Sequence, residues 1–137
     1  MEPVHGLRRL VAGFIAFAIT VIVQLVINSI FLKEIWQIMQ EQGVLRTDNG
    51  LSSMLLYFVV TALGVWVMSE LCQRAGNRLD SFYFGLLTGV LFSLSLILVH
   101  SFYLVQWQVP IVMIVANIVS FSLAGLMYGK VAFRKMI

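Results

Sequence analysis

Charge is what this sequence has least of. Asp, Glu, Lys and Arg make up only 11% of its 137 residues, where a soluble domain of this length carries roughly 25%. That scarcity excludes a disordered chain and a soluble nucleic-acid binder. Cysteine is down to one residue, Cys72. A lone thiol forms no internal bridge, so a disulfide scaffold is excluded and nothing follows about the redox compartment. Acids placed for catalysis are lacking too. Glu2, Glu34, Glu41, Asp48, Glu70 and Asp80 all fall at the ends of apolar runs or between them. A hydrolase triad needs a base beside a nucleophile and an acid that orients it. His100 has Ser93, Ser95 and Ser101 nearby in sequence but no carboxylate. There is no phosphate-binding glycine loop followed by lysine and no HExxH. The expectation is a protein that is not an enzyme and carries no cofactor.

What the chain has instead is apolar surface. Hydrophobic residues make up 61%, aromatics 12%, and the mean hydropathy is +0.97. Lipid is the solvent that such a composition fits. The charges cut the chain into three uncharged runs, 10–32, 49–69 and 81–129, of 23, 21 and 49 residues. About 20 apolar residues cross a ~30 Å hydrocarbon core as helix. The first two runs therefore make one crossing each. The third is too long for one and must turn, best at Gln106-Trp107-Gln108-Val109-Pro110, where amides, an interfacial aromatic and a helix-opening proline coincide. The expected fold is all-α: an integral membrane four-helix bundle with helices near 10–32, 51–71, 82–105 and 109–130 in a single domain, 1–137. The first helix is expected to be retained. Its apolar stretch exceeds the ~7–15 residues of a signal-peptide core and no small-x-small cleavage site follows.

Lysine and arginine set the orientation. With four crossings, Arg8, Arg9, Arg74, Arg78, Lys130, Arg134 and Lys135 share one side, and Lys33 and Arg46 the other. Both termini are therefore expected in the cytoplasm, most simply at a bacterial inner (plasma) membrane, and dual-topology insertion is disfavoured. Between helices one and two, Leu32, Ile35, Trp36 and Met39 recur at the period of an amphipathic helix. A short interfacial helix is expected there, stopped near Gly43, with Thr47-Asp48-Asn49-Gly50 as the turn into the next crossing.

Small residues gather toward the cytoplasmic side: Ala12, Gly13 and Ala16 on helix one, Gly85 and Gly89 on helix three, Gly125 and Gly129 on helix four. Both glycine pairs have the GxxxG spacing that lets helices approach closely, so helices three and four are expected in tight contact. Polar residues gather toward the other side. Gln24 and Asn28 stand four apart on one face of helix one, with Tyr57 and Thr61 on helix two, His100 on helix three and Asn117 on helix four at comparable heights. An unpaired amide in hydrocarbon costs several kcal/mol, so these groups must face protein or a wet cavity. Gln24, Asn28, Tyr57, His100 and Asn117 are thus candidates either for interhelical hydrogen bonding or for a ligand or solute path.

His100 is an intramembrane ionisable residue and so a functional candidate by default. It is open as a proton-sensing group, a single axial ligand to a pigment or haem, or a structural residue. Bis-histidine haem within one chain is excluded because His5, the only other histidine, lies at the opposite face. No second His, Cys or acid shares its depth, which leaves a zinc site without ligands. Cys72, beside Arg74, is either palmitoylated or an inert interfacial thiol. Small multidrug exporters are similar in size and helix number, but they carry a glutamate in the first helix and residues 10–32 hold no acid. Four-helix fluoride channels are likewise similar in size only. The expected partners are the lipid bilayer and either another membrane protein or further copies of the same chain, not nucleic acid. The expected function is that of a non-enzymatic multi-pass subunit or accessory of a larger membrane complex. The alternative is a homo-oligomeric small-solute transporter or channel built on the polar cluster.

Overall fold

The computed structural model describes residues 6–41, 50–75, 77–102 and 108–133. Within these it leaves the side chains at 36, 39, 40, 50–53, 75, 96 and 98–102 outside the description. All described elements are helices: α1 (Gly6–Phe31), α2 (Lys33–Glu41), α3 (Gly50–Ala75), α4 (Arg78–Phe102) and α5 (Gln108–Ala132). Three are long and apolar enough to cross a membrane, namely α1, the Met54–Arg74 part of α3, and α5. The expected stops at Gly43 and Thr47–Asn49 and the turn centred on Gln106 and Trp107 lie outside the described residues. Pro110 stands in the first turn of α5, where its missing N–H costs nothing.

The helices run past the uncharged segments. α1 takes in Arg8 and Arg9, α3 continues through Glu70 to Arg74 and beyond, and α4 begins at Arg78. The hydrogen-bond ladder is indifferent to charge, and long polar side chains can lie along an apolar stem while their heads reach water. At α4 the start is capped. The Asn77 side-chain oxygen accepts from the Asp80 N–H at 2.8 Å, and the Asp80 carboxylate accepts from the Asn77 amide at 2.5 Å. This satisfies an end donor and sets an acid against the positive end of the helix dipole.

α5 is the centre of the molecule. It packs most extensively against α4 and then α1, while α3 touches α1, α4 and α5 more lightly. The α4–α5 seam has no room for side chains. A methyl group on Gly125 would stand 2.9 Å from the Gly85 Cα, and one on Gly89 would stand 2.8 Å from the Asn117 carbonyl oxygen. Gly129 faces Ser81 as closely. Contacts of this kind are available only where at least one of the two backbones lacks a Cβ, and at Gly85 and Gly125 both do. On α1 the buried residues are Ala12, Ala16, Thr20 and Gln24, a stripe at four-residue spacing. Gly13 does not belong to it. Successive helix positions turn by roughly 100°, and a methyl group on Gly13 would meet nothing within 4 Å. The core proper gathers Ala12, Ala16, Val65, Met68, Phe121 and Tyr128, with the Phe92 and Phe121 rings 5.4 Å apart.

One end of the molecule collects the α1 start, the α3 end, the α4 start and the α5 end. Arg9 pairs with Glu70 across α1 and α3. Gln73 donates to the Tyr128 hydroxyl at 2.7 Å across α3 and α5. The Cys72 thiol approaches the Ser81 carbonyl at 3.7 Å across α3 and α4. Cys72 is fully buried, which withdraws it from any acyl donor and leaves it a packing residue. At the other end, the chain bends at Leu32 while the Leu32 N–H still donates to the Asn28 carbonyl. Leu32 and Ile35 then bury against Val109, Val112 and Met113 at the start of α5. The amphipathic α2 is thereby docked on α5 with Lys33, Glu34 and Gln37 exposed. The Trp36 and Met39 side chains lie outside the described residues.

Candidate functional site

Most polar side chains inside these helices are satisfied by their own backbone. Thr20 donates to the Ala16 carbonyl, Thr88 to that of Phe84 and Ser93 to that of Gly89, each at 2.7–2.8 Å. A hydroxyl can do this because it reaches back one turn. An amide side chain carries two donor hydrogens and an acceptor oxygen, and its own helix cannot serve them all. Gln24 is the residue in this position, 6% exposed at the end of the small-residue stripe on α1.

Its neighbours complete it. The Gln24 Nε2 donates to the Asn117 Oδ1 at 2.8 Å and to the Ser120 Oγ at 3.2 Å, both on α5. The Gln24 Oε1 accepts from the Tyr57 hydroxyl of α3 at 2.5 Å. The Ser120 hydroxyl sends its own proton to the Asn117 carbonyl at 3.1 Å, which frees a lone pair for Gln24. Both Gln24 donor hydrogens and its oxygen are used, and α1, α3 and α5 are tied through one side chain.

Of the five polar candidates, the structure brings Gln24, Tyr57 and Asn117 together. Asn28 lies one turn further along α1. Its Oδ1 is buried and finds no donor among the described residues. His100 is on α4, but its side chain lies outside the described residues. Thr61 is buried one turn along α3 from Tyr57. Ser120 was not singled out from the sequence, although its three-residue spacing from Asn117 puts both on one face of α5. The Arg9–Glu70 and Gln73–Tyr128 pairs were missed as well. Arg9 and Glu70 border different uncharged runs, and only the antiparallel pairing of α1 and α3 shows that these borders meet.

Chemically, the Gln24 cluster holds amides, a phenol and hydroxyls, with no acid or base among its described members to activate a nucleophile. Its groups touch directly, at hydrogen-bond distance, leaving no space for a solute between them. Among the described residues, no three His, Cys, Asp or Glu side chains come together as a metal site. The open space lies elsewhere. A groove of about 470 Å³ runs between α1 and α3, lined by Arg9, Gly13, Phe14, Val65, Trp66 and Ser69 among others. No family model matches the chain, and no curated protein or solved structure shows significant similarity to it.

Proposed function

We propose that this chain is a small, non-enzymatic, multi-pass protein of the bacterial inner membrane that works as a subunit or accessory of a larger membrane complex. In this reading α1, α3, α4 and α5 all cross the bilayer as one four-helix domain with both termini in the cytoplasm. α4 is 25 residues long and uncharged from residue 81 onward, which supports it as the fourth crossing. The orientation is supported by the gathering of Arg8, Arg9, Arg74, Arg78 and Lys130 at one end.

The observation that carries the functional reading is the closure of the Gln24 cluster. With the Gln24 donors and acceptor spent on Asn117, Ser120 and Tyr57, the cluster works as an internal clasp. The surface left for recognition is then the outward apolar one, including Phe14, Ile22 and Leu25 on α1 and Leu56, Val59 and Leu63 on α3. One observation favours the alternative of a homo-oligomeric solute transporter or channel, namely the unpartnered Asn28 Oδ1 beside the clasp. Purification from native membranes in mild detergent, followed by mass analysis, separates the two. Co-purifying polypeptides in fixed proportion are expected. A symmetric oligomer of this chain alone would favour the transporter.

A further inference from the structure

The groove between α1 and α3 differs from the other helix contacts in being framed by two polar clasps. Arg9–Glu70 closes one end, and Gln24–Tyr57 lies about two turns beyond the other. Its wall on α1 runs from Arg9 to Phe17, eight helix steps or ~12 Å, within the ~15 Å of one leaflet of a typical core. Beside the contacts that join the two helices, which include the Phe17 and Phe58 rings 6.3 Å apart, an opening remains. Gly64, Gly85, Gly89, Gly125 and Gly129 would each bring an added methyl into collision, but Gly13, in the groove wall, faces open space. The opening is therefore bounded by fixed points, and the missing side chain at residue 13 enlarges it.

Its chemistry is polarised. Leu10, Phe14, Phe17, Val65 and Trp66 make the body apolar, while Arg9 and Ser69 stand together at one end. That end is basic, because among the described residues Arg8, Arg9, Arg74, Arg78 and Lys130 are set there against Glu70 and Asp80. The Arg9 side chain is 39% exposed within its ion pair, and a guanidinium has five N–H donors. Arg9 also lies in the first turn of α1, where the helix dipole is positive. A space of about 470 Å³ falls within the size of ordinary ligand sites but holds no more than about one turn of a helix of ~10 Å diameter.

We propose that this groove binds an anionic phospholipid, one acyl chain lying along Phe14, Phe17 and Trp66 and the phosphate held at the Arg9 end. The site depends on the chain being embedded in a bilayer. It does not depend on a partner subunit or on which leaflet the Arg9 end faces, so it can fail while the functional reading above stands, and the reverse.

Trp66 is the reporter. With Trp36→Phe and Trp107→Phe, it is the sole tryptophan of the chain. The purified protein is reconstituted in phosphatidylcholine vesicles containing a minor fraction of chain-brominated lipid, either phosphatidylglycerol or phosphatidylcholine. Brominated phosphatidylglycerol is expected to show a roughly fivefold higher apparent occupancy at Trp66 than brominated phosphatidylcholine, the scale of one arginine acting on an anionic headgroup. Gly13→Leu, whose Cβ meets nothing within 4 Å, is expected to abolish that preference while helical content is retained. The paired change Arg9→Gln with Glu70→Gln strands neither partner, and it is expected to leave quenching by both lipids but remove the difference. Equal quenching by the two lipids in the parent protein overturns the proposal, since it marks ordinary lipid contact. Absence of quenching by either lipid also overturns it, and means that a second copy of the chain covers the groove.

Discussion

Replacing Gln24 by leucine removes the three side-chain hydrogen bonds that tie α1 to Asn117, Ser120 and Tyr57 while roughly conserving volume. Interhelical hydrogen bonds in membrane proteins average about 0.6 kcal/mol and reach about 1.7. Three such bonds amount to about 2 kcal/mol. The Asn117 Oδ1 then loses its donor from α1, and a buried polar atom left unpaired adds about 1–3 kcal/mol. Tyr57 is only half-buried, so its hydroxyl re-pairs more cheaply. The expected loss is about 3–5 kcal/mol, read as a lowered midpoint in reversible unfolding from mild detergent into dodecyl sulfate, followed by the helical circular-dichroism signal. Tyr57→Phe removes one bond and is expected to cost about 0.6–1 kcal/mol. In the double variant the two losses should fall short of additivity by about 0.6 kcal/mol or more, because they share one bond. A Gln24→Leu protein within about 0.5 kcal/mol of the parent, with no coupling to Tyr57, refutes the clasp. The amide would then have to be held for an interaction beyond this chain, and the transporter reading would gain.

Four further outcomes follow from the packing. In the same unfolding assay Gly125→Ala should cost about 1–3 kcal/mol, because its methyl meets the backbone of Ser81 and Gly85. Gly64→Ala, which meets only the ring edges of Phe121 and Phe92, should cost less than half as much; the reverse order would place the tight seam elsewhere. Cys72 should resist a maleimide in the folded protein and react in step with loss of helical signal, whereas fast labelling of the folded state contradicts its burial. Arg9→Gln should cost at most about 1 kcal/mol, as part-exposed ion pairs do, and the cost should vanish in a Glu70→Gln background. A cysteine at residue 42, on a Cys72→Ser background, should label from outside intact cells; labelling from the cytoplasmic side only would invert the topology.

The helical elements were legible because few other structures satisfy every backbone group in lipid, so the uncharged runs announced their helices. Their ends were not, because a run marks where charge stops and a helix does not stop there. α1 carries Arg8 and Arg9, and α3 carries Glu70 and Arg74. The amphipathic period over 32–39 marked α2, and Leu32 and Ile35 show the face it buries. The GxxxG spacings named residues whose missing side chains the α4–α5 seam uses. Gly13 shares composition and depth with Ala12 and Ala16 but not their face. Smallness is visible in a sequence, whereas whether it serves contact or leaves a gap depends on which neighbour stands opposite.

The polar residues divide along a chemical line that a sequence does display. Thr20, Thr88 and Ser93 each close a bond within their own helix, so their presence in an apolar run places no demand on the rest of the fold. Gln24 and Asn117 cannot do so. Each carries more donors and acceptors than the backbone one turn away can serve, and each must find a partner on another helix. Buried amides are thus the polar residues from which helix neighbours can be inferred, and Gln24 joins α1 to both α3 and α5. What the amides alone do not reveal is whether water lies between them. That depends on the third and fourth members, and here the Tyr57 hydroxyl and Ser120 arrive at direct hydrogen-bond distance. A serine three residues from the asparagine therefore helps decide between a wet path and a closed clasp, and on that closure rests the reading of this chain as a component rather than a conduit.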